Sequence, residues 1–147
     1  MSYLFDTNAI SEVFKPRPNP EYVEWLGTVP RDEQYTSTVA IGELYVVAYR
    51  SQARKKWFER IREQVIPRMI VLDYDLACAA EYGRIRAHLA DAGTPIGDTD
   101  VQIAATVIVH GLTLVTANVD HFQRVPSLDL RAFLTGVQVR TLERKSQ

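Results

Sequence analysis

Short runs of strand character alternating with helical periods predict an α/β protein, a parallel sheet covered by helices on both faces. Three observations carry this. The runs Tyr3–Phe5, Gln34–Ser37, Met69–Leu72 and Leu112–Thr116 have strand length. Amphipathic or wholly apolar segments of helical length lie between them. The 147 residues, 46% of them hydrophobic, suffice for one real core and leave little room for a second.

Taken in order, Tyr3-Leu4-Phe5 ends at Asp6-Thr7-Asn8, and Ala9, Ile10, Val13 and Phe14 then mark a first helix. Lys15 to Pro20 is a loop, because its three prolines cannot continue that helix. Glu21 to Leu26 is a second short helix. After the strand Gln34–Ser37, Thr38 is placed to cap a helix from Val39 to about Arg50. A basic helix follows, with Trp57, Phe58, Ile61 and Val65 on its buried side and Pro67 as its stop. Leu76 to Leu89 is helical and Gly93 to Gly97 a break. Asp98 or Thr99 then caps an apolar helix that runs to about His110 and ends at Gly111. Leu128 to Leu130 is read as a short fifth strand. Residues 1–136 are expected to form the domain and 137–147 a C-terminal tail without a clear pattern.

Composition excludes several classes. No apolar stretch approaches the ~20 residues of a membrane span. The N-terminus has no basic region and meets an acid at once, so no signal peptide is expected and the cytoplasm is the expected location. Cys78 is the only cysteine, which rules out an internal disulfide and a cysteine-based zinc site. The net charge of −1 does not announce a nucleic-acid partner. Its distribution is more telling: Arg50, Arg54, Lys55, Lys56, Arg60, Arg62 and Arg68 stand against only Glu59 and Glu63. Such a stripe attracts phosphates, although a solvated helix face is the plainer explanation.

The acids carry the chemistry. Asp6 sits at the carboxyl end of the first strand, where α/β sheets place ligands, although for Asp6 taken alone the plainer explanation is that Asp6 or Asn8 caps the following helix. Glu43 lies in Val39-Ala-Ile-Gly-Glu-Leu-Tyr-Val-Val-Ala48, apolar around nearly the whole helix, so burial on most sides is expected. A carboxylate in that setting needs a partner or a shifted pKa, and no basic residue lies within one turn. Asp98 and Asp100 both stand where one acid would satisfy a helix N-terminus; Asp98 is assigned to capping and Asp100 to chemistry. Asn118 and Asp120 follow the fourth strand, Asp120 being readable also as an ordinary loop acid. If the first and fourth strands are neighbours, these groups share one crevice. Clustered carboxyls repel and invite a cation, and an all-oxygen set suits Mg²⁺ or Mn²⁺. Such ions support phosphoester hydrolysis.

Four segments in this order, Leu4–Glu12, Ser37–Leu44, Pro95–Ala105 and Leu114–Phe122, resemble PIN-domain nucleases, in particular VapC-type and FitB-type toxins of toxin–antitoxin pairs. The resemblance covers about residues 3 to 134. It implies a three-layer α/β/α fold with a parallel sheet of four to five strands, and RNA cleavage dependent on Mg²⁺ or Mn²⁺. It assigns the metal to Asp6, Glu43 and Asp100, with Asn118 at a position where many members carry a fourth aspartate. Asp98 and Asp120 are the residues available for partial compensation, and Thr7, Asn8 and Thr116 fall where the family braces its site. Arg50, Arg54, Lys55 and Lys56 become candidates for the RNA backbone. A VapB-type antitoxin and a second copy of the chain are the implied partners, with Trp25, Tyr45, Tyr49, Trp57 and Phe58 available for contacts or for the core.

His88, His110 and His121 are dispersed without metal-ligand spacing, so surface or capping roles are expected of them. Two rivals remain. One is a phosphoacceptor regulatory domain, for which a suitable central aspartate and late lysine are not evident. The other is a PIN-fold binding module that lost turnover, which Asn118 leaves open.

Overall fold

A computed structural model describes residues 1–134 and 137–142, and its layers follow from side-chain alternation along short strands. In β1 (Tyr3–Phe5) and β4 (Thr113–Thr116), Leu4 and Leu114 face one side of the sheet while Phe5 and Val115 face the other. The first side packs on Ile85 and Leu89 of α5 (Leu76–Asp91) and on Val101 and Ala104 of α6 (Asp98–Val109). The second packs on Ile10 of α1 (Thr7–Glu12), Tyr22 of α2 (Pro20–Leu26) and Leu44 of α3 (Thr38–Arg50). All these side chains are buried, which gives the expected three layers.

The remaining strands are β2 (Gln34–Ser37), β3 (Ile70–Leu72), β5 (Leu130–Leu134) and β6 (Val137–Leu142), in the order β3-β2-β1-β4-β5-β6. β1 to β5 are mutually parallel. β6 runs antiparallel to β5, so the expectation of no pattern after Gly136 is corrected over Val137–Leu142. Residues 143–147 lie outside the described residues. The chain leaves β1 toward β2 and β3 on one side, then returns to lay β4 and β5 on the other. β1 and β4 are therefore neighbours at the point where strand order reverses, with Phe5 opposite Val115.

Two local expectations change. Ser37, not Thr38, caps α3: its Oγ accepts from the Ala40 N–H at 3.1 Å, and Thr38 is the first helical residue. The basic segment is regular only as α4 (Arg54–Glu59); it continues as a wide π-turn over Arg60–Val65 and a 3-10 turn over Ile66–Arg68. Ile61 and Val65 are buried there as expected, while Trp57 and Phe58 are half-buried against the same core. No helix among the described residues is long and apolar enough to cross a membrane.

Candidate active site

Asp6 leaves β1 at its carboxyl end with its side chain 5% exposed. Oδ1 accepts from the Ala9 N–H at 2.8 Å and so caps α1, and the Thr116 hydroxyl also bonds the carboxylate. Capping and membership of an acid cluster are thus not alternatives. Burial pushes the Asp6 carboxyl up to about 7; the Thr116 and Ala9 bonds oppose that rise, and the charges of Asp100 and Glu43 add to it.

Glu43 projects from the first half of α3, where Oε1 accepts from the Thr7 hydroxyl at 2.6 Å. The expected burial on most sides is corrected, for Glu43 is half-buried. The apolar run deceives because α3 leaves part of its apolar surface uncovered: Val46 is 55% exposed and Val47 40%. Both valines line the same crevice as Glu43.

Asp100 stands in the first turn of α6, half-buried. Asp98 does not cap that helix. Gly97 occupies the cap position without a side-chain bond, and Asp98 turns outward to accept from the Tyr82 hydroxyl at 2.8 Å and pair with Arg86 at 2.5 Å. Those partners on α5 hold it away from its own helix terminus. Asn118 follows β4 and starts α7 (Val119–Phe122), its backbone N–H donating to Thr116 Oγ1 at 2.9 Å. Asp120 is exposed on α7, outside the crevice lining.

The crevice, about 410 Å³, brings together Asp6, Thr7, Asn8, Glu43, Asp100 and Asn118. Among the described residues no group of three acidic, histidine or cysteine side chains is already drawn together around a metal-sized space. The donor set nonetheless fits a hard divalent cation. It is rich in carboxylates, without thiols, and its most buried acid is driven toward protonation partly by the charges of the other two.

The basic residues are not brought to the acids. Arg54, Lys55 and Lys56 line a separate surface hollow with Glu59, and Arg50 is exposed at the end of α3. Seven helical residues, about 10 Å of rise, separate Arg50 from Glu43. Tyr49, 59% exposed, lies beside this corner: its carbonyl accepts from Arg54 at 2.8 Å, with the guanidinium 5.5 Å from its ring.

One residue escaped sequence reasoning. His121 Nδ1 lies 3.3 Å from Asp100 Oδ2 and 2.8 Å from Asn118 Nδ2. Its signal was the spacing from Asn118, three residues along a helical turn, which places two side chains on one face.

Residues 3–128 match the family model described as PIN domain. The chain is 35% identical over 124 residues to Toxin FitB of Neisseria gonorrhoeae, covering 81% of this chain and 89% of that protein. It is 33% identical over 128 residues to the tRNA(fMet)-specific endonuclease VapC of Salmonella typhimurium, covering 87% and 95% respectively. Its structure is similar to that of VapBC2 from Rickettsia felis bound to a DNA fragment from their promoter, with a TM-score of 0.81, 26% identity, and coverage of 90% of this chain and 99% of that one.

Proposed function

The chain belongs to the PIN-domain family, and from that premise we propose that it is the toxin ribonuclease of a type II toxin–antitoxin pair, hydrolysing RNA phosphodiester bonds with a divalent ion held by Asp6, Glu43 and Asp100. The observation that carries this is the pairing of β1 with β4, which sets Asp6 beside Asn118 in one crevice with Glu43 and Asp100. Similarity to a protein named a toxin and to one named a tRNA-specific endonuclease supports the substrate class.

The chain's own groups divide the work. Asp6, Glu43 and Asp100 hold Mg²⁺ or Mn²⁺. The Ala9 N–H and Thr116 hydroxyl fix the Asp6 carboxylate, and the Thr7 hydroxyl orients Glu43. Val46 and Val47 make one wall of the crevice apolar. When bound, the ion supplies Lewis acidity at the phosphate and eases deprotonation of a water nucleophile. Asn118 contributes an amide in place of a further negative charge, so one firm ion is expected, with a second only in the presence of substrate. Arg50, Arg54, Lys55 and Lys56 contact the RNA backbone beyond the crevice.

The partners assigned are a VapB-type antitoxin, which the Rickettsia felis VapBC2 structure supports, and a second copy of the chain, in the cytoplasm. The same amide at Asn118 favours a second reading, a PIN-fold module that binds RNA with little turnover. One experiment decides between them. Antitoxin-free protein, given a panel of structured RNAs with Mg²⁺ or Mn²⁺, is expected to cleave. Asp6→Ala and Asp100→Ala each reduce cleavage by at least about a hundredfold, beyond the range found for residues that only support metal ligands. Binding without cleavage by the wild type favours the module. Undiminished cleavage by both variants places the chemistry elsewhere.

A further inference from the structure

α6 carries Asp100 in its first turn, yet it starts without a side-chain cap. The helices α1, α2, α3 and α5 each begin after a residue whose side-chain oxygen accepts a backbone N–H of the first turn, namely Asp6, Asn19, Ser37 and Asp75. Gly97 stands at the same position before α6 and has no side chain to offer. An uncapped first turn frays, because its N–H groups lack partners within the helix. Arg86 straddles that start from α5. Its Nη1 donates to the Ile96 carbonyl at 2.9 Å and its Nη2 to Asp98 Oδ1 at 2.5 Å, so the guanidinium fork holds the residues on either side of Gly97. The Tyr82 hydroxyl donates to the same Asp98 oxygen at 2.8 Å, and its ring lies 5.6 Å from the guanidinium. The anchor is firm, since Ile85 and Leu89 of α5 are buried in one cluster with Ile96. Asp98 and Asp100, two residues apart, stand about 200° apart around the helix. Pinning Asp98 to α5 therefore fixes the rotation at which Asp100, on the other side, faces the crevice.

Resting on the carboxylate-site reading above, we propose that Arg86 is a positioning residue for the divalent ion: it takes the place of the missing cap on α6 and so holds the Asp100 carboxylate where the ion binds. Arg86 itself touches neither ion nor RNA. Its effect has a sign that charge alone would reverse. Removing a nearby cation favours the binding of another cation, whereas releasing the first turn of α6 weakens it. Lysine does not substitute, since an ammonium is a compact point charge without the planar fork that spans Ile96 and Asp98. A cap at Gly97 does substitute. Its φ of −61° and ψ of 149° are those of a capping residue, and a Cβ there meets no atom within 4 Å.

The test is Mn²⁺ binding by the full chain in a calorimetric titration, joined to amide hydrogen exchange of the metal-free protein. Exchange is read at Val101, whose N–H bonds the Gly97 carbonyl at 3.2 Å, and at Val107 farther along α6. Arg86→Met is expected to weaken Mn²⁺ by at least about tenfold and to speed exchange at Val101 more than at Val107. Arg86→Lys, a milder change that keeps the charge, acts in the same direction and serves if the methionine variant does not fold. Gly97→Ser added to either variant restores both the Mn²⁺ affinity and the protection of Val101. Affinity unchanged or increased in both Arg86 variants overturns the proposal. So does a weakening that Gly97→Ser leaves unrelieved, or one accompanied by equal loss of protection at Val101 and Val107, the mark of a general loss of stability. Asp100→Asn separates the two levels of inference. If it abolishes Mn²⁺ binding while the Arg86 variants leave the binding unaltered, the carboxylate site stands and the tether falls. Absence of Mn²⁺ and Mg²⁺ binding by the wild type removes both.

Discussion

The two ends of α1 each bury an acid, and they handle it in opposite ways. Glu12, at the carboxyl end, is 1% exposed; Oε1 pairs with the Lys15 ammonium at 3.1 Å and Oε2 accepts from the Asn19 N–H at 3.3 Å. Asp6, just before the amino end, is 5% exposed, and among the described residues no salt bridge reaches it. It accepts from neutral donors while two further acids press on it. Glu12 is a finished structural contact, its charge met by a cation of the same chain. Asp6 holds a charge the fold leaves unmet. Burial of an acid alone does not mark a reactive site; burial without a cation, beside other acids, does.

Exchanging the two carboxylates for amides is the strongest way to break this contrast. Asp6→Asn keeps an oxygen to cap α1 and is expected to lower RNA cleavage by at least about a hundredfold with its melting temperature unreduced at pH 8. Glu12→Gln is expected to cost about 1–3 kcal/mol of stability in a denaturant titration, leaving cleavage per folded molecule unchanged. A reversed pattern, activity lost at Glu12 and stability at Asp6, would break the comparison outright.

A smaller effect is expected at Thr7, whose hydroxyl holds Glu43. Thr7→Val should weaken divalent-ion binding by about tenfold in a calorimetric titration, with no comparable effect on metal-free stability. The third expectation concerns pH. Asp6 is raised from 3.8 to about 7 in the folded protein, so the folded chain holds a proton that the unfolded chain releases between those values. The stability that proton confers is complete below about pH 4 and lost as pH rises through about 7. Metal-free protein should melt progressively lower across that window, Asp6→Asn should flatten the trend, and saturating Mg²⁺ or Mn²⁺ should oppose it, since the ion binds the ionised form. A flat profile in the metal-free wild type would show that Asp6 is not the unmet charge. The smallest effect belongs to the basic corner. Lys55→Ala and Lys56→Ala should weaken RNA binding uniformly across sequences, each lowering the log–log salt slope by about one.

The sequence made the strands and the crevice legible because both depend on short-range patterns. Strand-length runs, a polar turn after Phe5 and glycine punctuation around α6 placed β1, β2, β4 and the helices near their observed bounds. The convergence of Asp6, Glu43, Asp100 and Asn118 hung on a single condition, adjacency of β1 and β4, which the sheet satisfies. What stayed hidden depends on partners distant in the chain. Asp98 reads as a cap until Tyr82 and Arg86 turn it outward. Glu43 reads as buried because hydropathy cannot tell a covered apolar face from an uncovered one, and Val46 and Val47 belong to the latter. His121 reads as a stray histidine because its partner Asp100 lies 21 residues away, on a different helix. β6 carries a short alternation of its own, Val137-Gln-Val-Arg-Thr-Leu142, which sequence reasoning passed over and which pairing with β5 makes plain.

The adjacency of β1 and β4 also has a meaning in time. Asp6 leaves the ribosome 110 positions before Thr116, which bonds its carboxylate. At ordinary elongation rates that interval is roughly 5–20 s. For most of it the nascent chain carries Asp6 and then also Glu43, but has no complete β4 against which to seat them. The acid crevice is therefore completed only once β4 has been made, late in the synthesis of the domain that spans residues 3–128.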